Sequence, residues 1–142
     1  MTTTWLRNCW QVAAFTREVI GGQLLARRIC DEGLVIYRAN DGRPVALEDR
    51  CPHRFAQLSK GALIGDVLRC GYHGLCFDTA GKCVAIPGQD YIPSRARVRA
   101  YPVVERHRLV WVWMGDPERA EPALVPDVHW LDDPHWVASK LA

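Results

Sequence analysis

Two short clusters constrain this chain more than anything else in it. Cys51-Pro52-His53 and Cys70-Gly71-Tyr72-His73 form a C-x-H and a C-x-x-H, with sixteen residues between them. Each loop offers one thiolate and one imidazole. A single zinc ion held between two elements normally takes its ligands as like pairs, two cysteines and then two histidines. The mixed pairing suits two bridged metal atoms, because each loop then reaches both. Such a site needs two loops held side by side on a stiff scaffold.

The rest of the sequence supplies one. Residues 24–29, 34–38 and 44–48 read as strands, joined by Cys30-Asp31-Glu32-Gly33 and Ala39-Asn40-Asp41-Gly42-Arg43. Asp, Asn and Gly tolerate left-handed backbone angles, so both joints suit hairpins. This meander feeds the first loop at 50–57. A strand near 66–69 feeds the second at 70–75, and 76–78 pairs with 82–86 across Thr79-Ala80-Gly81. A strand over 97–104 is expected to pair with Leu109-Val110-Trp111-Val112-Trp113-Met114, whose apolar character on both faces predicts burial on two sides, with both tryptophans in the core. Helical turns are expected only at 16–20 and 57–62. The fold class is all-β, built of antiparallel sheets with two cluster-binding hairpin loops.

A chain of 142 residues with 49% hydrophobic content supports one domain with its own core. From Gly115 onward four prolines fall within twenty-eight residues, so 1–116 reads as the domain and 117–142 as an extended connector. A net charge of +2 gives no argument for nucleic acid. No signal-peptide pattern opens the chain, and no stretch approaches the ~20 apolar residues of a membrane span. The expectation is a cytoplasmic protein with no membrane partner. The six cysteines, two of them paired with histidines, then favour metal binding in a reducing compartment over a disulfide framework. Cys9, Cys30, Cys76 and Cys83 are expected to be small buried or half-buried apolar groups.

The ligand pattern resembles that of a Rieske [2Fe-2S] centre, in which two histidines replace cysteines on one of the two irons. The resemblance extends further. Cys51-Pro52-His53-Arg54-Phe55-Ala56-Gln57-Leu58-Ser59-Lys60-Gly61, Cys70-Gly71-Tyr72-His73-Gly74, Gly81-Lys82-Cys83, Ile86-Pro87-Gly88-Gln89 and Trp111-Val112-Trp113 are similar to the N-terminal Rieske domain of Rieske-type non-haem iron oxygenases. The branch resembled is that of vanillate O-demethylase, toluenesulfonate methyl-monooxygenase and dicamba demethylase, over about residues 8–116.

The resemblance implies that Cys51 and Cys70 bind one iron and His53 and His73 the other. It implies an electron-transfer module with no catalytic residue in this chain, serving an aromatic-compound monooxygenase or demethylase. The electron donor would be a reductase or ferredoxin. The acceptor would be a mononuclear non-haem iron, held by a 2-His-1-carboxylate triad in a C-terminal catalytic domain of the same or a neighbouring subunit. A free-standing Rieske-type ferredoxin and a zinc-binding structural module are the alternatives. High-potential Rieske proteins place a disulfide between the loops and hydroxyls near the sulfurs. The matching positions here are Ala56 and Tyr72, then Leu75 and Phe77, so a potential in the lower part of the range of about −150 to +300 mV is expected.

Other residues invite weaker readings. Arg54, beside His53, is the candidate partner contact. Arg95, Arg97 and Arg99 are expected to line one face of a strand, and His107 to be exposed in a turn. His129, Asp132, Asp133 and His135 lie close in sequence, but histidines six apart in a proline-broken segment cannot share a helix face, so they read as surface groups.

Overall fold

The computed structural model describes residues 4–140. Its eleven strands form three antiparallel sheets, with no helix longer than a short 3-10 turn among the described residues. β1 (Cys9–Phe15), β11 (Leu109–Met114) and β10 (Val103–Arg106) make the first sheet, in the order β1-β11-β10. β2 (Leu25–Ile29), β3 (Glu32–Arg38), β4 (Pro44–Glu48) and β9 (Ala100–Tyr101) make the second. β5 (Ala62–Ile64), β6 (Val67–Arg69), β7 (Cys76–Phe77) and β8 (Cys83–Ala85) make the third, a meander of short strands. The third sheet lies wholly between β4 and β9 in sequence, although β4 and β9 are paired, Ala46 with Tyr101 and Leu47 with Ala100. The cluster loops therefore belong to an insertion between two neighbouring strands.

Local chemistry explains the joints. Cys30 and Asp31 both have positive φ, +49° and +64°, the pairing that a tight two-residue hairpin requires, and Ile29 stands opposite Glu32 across it. The 40–42 turn is closed by Ala39 N–H on the Arg43 carbonyl at 3.0 Å and by Gly42 at φ +87°. The helical turns fall at Thr16–Glu18 and Leu58–Lys60, within the expected segments.

Three apolar clusters share the interior. The first, with Val35, Tyr37, Leu47, Leu58, Leu68 and Phe77, underlies the third sheet and contains both Cys51 and Cys70. β11 divides the other two: Val110, Val112 and Met114 face β3, while Leu109, Trp111 and Trp113 face the opposite side. All six residues of β11 are buried, as two-sided burial requires. Burying each such large side chain stabilises the fold by about 1.5–3 kcal/mol. Trp10 meets Trp113 edge-on at 5.4 Å between ring centres. The indole N–H groups of both are satisfied, Trp10 on the Glu121 carbonyl at 2.9 Å and Trp113 on the Asp116 carbonyl at 2.7 Å.

Three expectations change. The single strand over 97–104 is two short ones: Pro102, which has no N–H, sits at the break, so β9 stays with β4 while β10 crosses to β11. Arg95, Arg97 and Arg99 consequently share no strand face. Arg99 donates to the Gly115 carbonyl at 2.7 Å and lies over the Tyr101 ring, whereas Arg95 turns toward the cluster loops. The segment after Gly115 is not extended. Pro117 and Pro122 each open a 3-10 turn, a position where the missing N–H costs nothing, and a third turn covers His129–Asp132. Val125 is buried against Trp10, Trp111 and Trp113, and Lys140 reaches back to Glu18 at 2.6 Å.

Candidate metal centre

The two cluster loops are two copies of one backbone design. Cys51 donates its N–H to the Ala56 carbonyl at 2.8 Å, and its own carbonyl accepts from Phe55 N–H at 2.8 Å. In the second loop Cys70 donates to the Leu75 carbonyl at 2.8 Å and accepts from Gly74 N–H at 3.1 Å. The frames match residue for residue, including a left-handed residue four places after each cysteine, Phe55 at φ +60° and Gly74 at φ +79°. Only the histidine offset differs, two residues after the cysteine in one loop and three in the other.

This arrangement sorts the four side chains by element. Cys51 and Cys70 are both 2% exposed and share one apolar cluster. His53 and His73 are exposed, with their Nδ1 atoms facing at 3.1 Å and their rings edge to face. Sulfur lies inward and nitrogen outward. Among the described residues no three His, Cys, Asp or Glu side chains converge on a single ion; these four divide into a sulfur pair and a nitrogen pair. A metal–nitrogen bond of about 2.0–2.1 Å gives a tetrahedral edge of about 3.4 Å, close to the Nδ1 separation.

Burial pushes the Cys51 thiol up, while the N–H groups of His53 and Arg54, aimed at its sulfur, pull the other way, and the adjacent Cys70 raises it further. Two buried thiols pressed together would be a poor apolar core and are a good metal site, since a metal takes both as thiolates. Amides pointed at a ligating sulfur are among the groups that set a cluster's potential. The donor set thus fits a [2Fe-2S] group of mixed ligation, with no disulfide between the loops. All six cysteines are free: Cys30 and Cys83 are buried, Cys9 and Cys76 half-buried.

Around the imidazoles the surface is aromatic and basic. The Tyr72 ring lies 3.8 Å from that of His73, and Arg50 covers Phe55 at 4.0 Å from its ring centre. A groove of about 670 Å³ runs beside the histidines, lined by Leu75, Ile86, Pro87, Pro93 and Arg95. Arg54 is exposed next to His53. Arg95 stands at this groove rather than on a strand face with Arg97 and Arg99, because the chain from Pro87 to Ser94 has no periodicity to place it.

The remaining candidates lie elsewhere. His107 is not an exposed turn residue: its side chain is 14% exposed, with Nδ1 on Asp132 at 2.6 Å and Nε2 facing Asp127 at 3.5 Å, because the tail folds over that turn. His129 and His135 each pair locally, with Asp127 at 3.0 Å and Asp133 at 2.9 Å. The tail's histidines and aspartates form no shared centre.

A family model described as the Rieske [2Fe-2S] domain matches residues 9–102. The chain is 51% identical over 131 residues to the toluene-4-sulfonate monooxygenase system iron-sulfur subunit TsaM1 of Comamonas testosteroni, covering 92% of this chain and 38% of that protein. It is 48% identical over 132 residues to the oxygenase component of dicamba O-demethylase from Stenotrophomonas maltophilia, covering 92% and 39%. The crystal structure of apo dicamba monooxygenase superimposes with a TM-score of 0.88 at 47% identity, over 93% of this chain and 41% of that one. The chain spans about two fifths of the length of these relatives. A model match over most of the sequence and this agreement in structure give one conclusion: the chain belongs to the Rieske [2Fe-2S] domain family.

Proposed function

We propose that Cys51 and Cys70 hold one iron of a [2Fe-2S] cluster and His53 and His73 the other, and that this chain is the electron-transfer part of a larger oxygenase subunit. The observation that carries the reading is the 3.1 Å approach of the two Nδ1 atoms over a buried pair of sulfurs. When bound, the cluster accepts one electron and passes it on. The residues provide the conditions for that exchange. Cys51 and Cys70 keep the sulfur side in an apolar cluster with Leu58, Leu68 and Phe77. His53 and His73 bring the nitrogen side to the surface, where a partner can approach.

The relatives' names extend the reading. One belongs to a toluene-4-sulfonate monooxygenase system and another to dicamba O-demethylase. We infer an aromatic-compound monooxygenase or demethylase as the whole protein, with residues 1–116 as the cluster domain and 117–142 leading to the part that carries the mononuclear iron. A reductase or ferredoxin supplies the electron, and the exposed Arg54 is a contact for an acidic donor surface. Six free cysteines suit a reducing compartment, in line with a cytoplasmic protein. No helix among the described residues is long and apolar enough to cross a membrane.

The test is direct. The isolated chain should be red-brown, contain iron and acid-labile sulfide in equal amounts, and show a Rieske-type EPR signal after reduction with dithionite. A colourless protein carrying zinc would overturn the ligand assignment. Sequencing the gene beyond codon 142 tests the rest: an open frame carrying a 2-His-1-carboxylate pattern supports the oxygenase, and a stop codon supports a ferredoxin.

A further inference from the structure

Asp49 is the one charged residue that is buried among the described residues, 8% exposed, and none of their ion pairs includes it. A buried carboxylate without a cation is costly unless hydrogen bonds satisfy it. Here Ser59 supplies both. Its N–H donates to Oδ1 at 2.7 Å and its hydroxyl to Oδ2 at 2.6 Å. The Asp49 N–H in turn donates to the Gly33 carbonyl at 2.9 Å, which anchors the carboxylate to β3.

Those bonds close the first cluster loop at its base, since Asp49 precedes Cys51 by two residues and Ser59 follows the loop. What comes after Ser59 matters as much. Gly61 lies so close to the Arg69 carbonyl that a side chain there would collide with it, and a Cβ on Gly71 would meet the Lys60 carbonyl at 3.1 Å. Lys60 and Gly61 thus abut the backbone on either side of Cys70. Asp49 holds Ser59, Ser59 leads into Lys60-Gly61, and that pair sets where the second loop starts.

We propose that Asp49 is a positioning residue for the cluster: its carboxylate, buckled to Ser59, fixes the spacing of the two ligand loops and places a negative charge outside any ion pair two residues from Cys51. This rests on the ligand assignment above. Charge and loop geometry then have separable signatures. A negative charge near a cluster that gains an electron on reduction opposes that gain, so it lowers the potential. Asp49→Asn keeps the shape and one acceptor for the Ser59 N–H while removing the charge. Ser59→Ala keeps the charge and removes one bond of the buckle.

The test uses the whole chain carrying its cluster. Asp49→Asn should raise the midpoint potential in voltammetry with the iron content unchanged. Ser59→Ala should lose iron to a chelator about tenfold faster than the parent, from the loss of one charge-assisted bond, and Ser59→Thr should restore the parent rate. In the cluster-free chain, Ser59→Ala should also speed amide exchange across residues 50–58. If Asp49→Asn does not fold, the two Ser59 variants decide. Unchanged potential in Asp49→Asn, or unchanged iron loss in Ser59→Ala, overturns the proposal. A parent chain that holds no iron and sulfide would instead overturn the ligand assignment.

Discussion

Phe55 and Gly74 occupy the same place in two copies of one loop, each four residues after a cysteine, each donating its N–H to that cysteine's carbonyl, and each with positive φ. Glycine takes that conformation freely and phenylalanine does not. In the first loop the Phe55 side chain is largely exposed, with Arg50 over its ring. In the second loop a side chain would also meet the Pro87 ring at 2.9 Å. The two positions should therefore respond unequally. Gly74→Ala is expected to destabilise the chain by about 1–3 kcal/mol, while Phe55→Gly stays within about 1 kcal/mol of the parent, relief of strain offsetting added chain entropy. Urea unfolding of the cluster-free chain measures both.

The proposed ligand assignment fixes the sign of a second outcome. His73→Cys replaces a neutral imidazole with an anionic thiolate and should lower the midpoint potential relative to the parent, provided iron and sulfide are still incorporated. A potential equal to or above the parent's would contradict the assignment of His73 to the cluster.

Arg54→Ala should slow reduction by the protein donor more than reduction by dithionite, because a small reductant does not need the docking contact. The slowing should shrink as salt is added, since the contact is exposed and screened. Stopped-flow traces giving equal effects on both reductants would remove Arg54 from the contact.

The proposed metal centre could be read from the sequence because its information is local: two cysteines and two histidines at short spacings, which the structure brings together as a buried sulfur pair and an exposed nitrogen pair. The sequence also indicated the buried double-faced strand at Leu109–Met114 and the joints at 30–33 and 39–43, the first of which tightens to a two-residue turn because β3 begins at Glu32. Three features depended on distant partners and were not legible. β1 carries a register shift between Val12 and Ala14, so Cys9–Phe15 shows no clean alternation and becomes a strand only beside β11. The proline spacing after Gly115 suits an extended link as well as it suits 3-10 turns, and only the indoles of Trp10, Trp111 and Trp113 decide between them. Pro102 splits one expected strand because two different sheets compete for its flanks.

The folded tail gives a stability prediction. Trp10→Phe keeps most of the apolar contact with Trp113 and Val125 but cannot donate to the Glu121 carbonyl. It should cost about 1 kcal/mol and raise amide exchange in residues 117–125 more than in β11. Equal exchange in the two regions would mean that the indole bond does not fasten the tail.

Glu18 sets a pH window for the same attachment. The Lys140 ammonium, the Phe15 N–H and Arg27 hold its carboxyl down at about 2, against an ordinary 4.5. A depressed carboxylate stabilises the folded state above the unfolded value and loses that contribution as pH falls through the folded one. Glu18→Gln should accordingly be less stable than the parent at neutral pH, with the difference closing between about 4.5 and about 2. Urea midpoints across that range check the sign, and Lys140→Ala should bring the Glu18 carboxyl part of the way back up.

The pairing of β4 with β9 has a consequence for how this domain can change. Everything from Asp49 to Arg99 leaves and re-enters the scaffold through adjacent rungs of one ladder, so the redox unit is a cassette plugged into a socket. Its loops can be lengthened, retuned or exchanged for those of a relative with the socket's own pairings, Leu34 to Glu48 and Trp10 to Trp113 among them, left as they are.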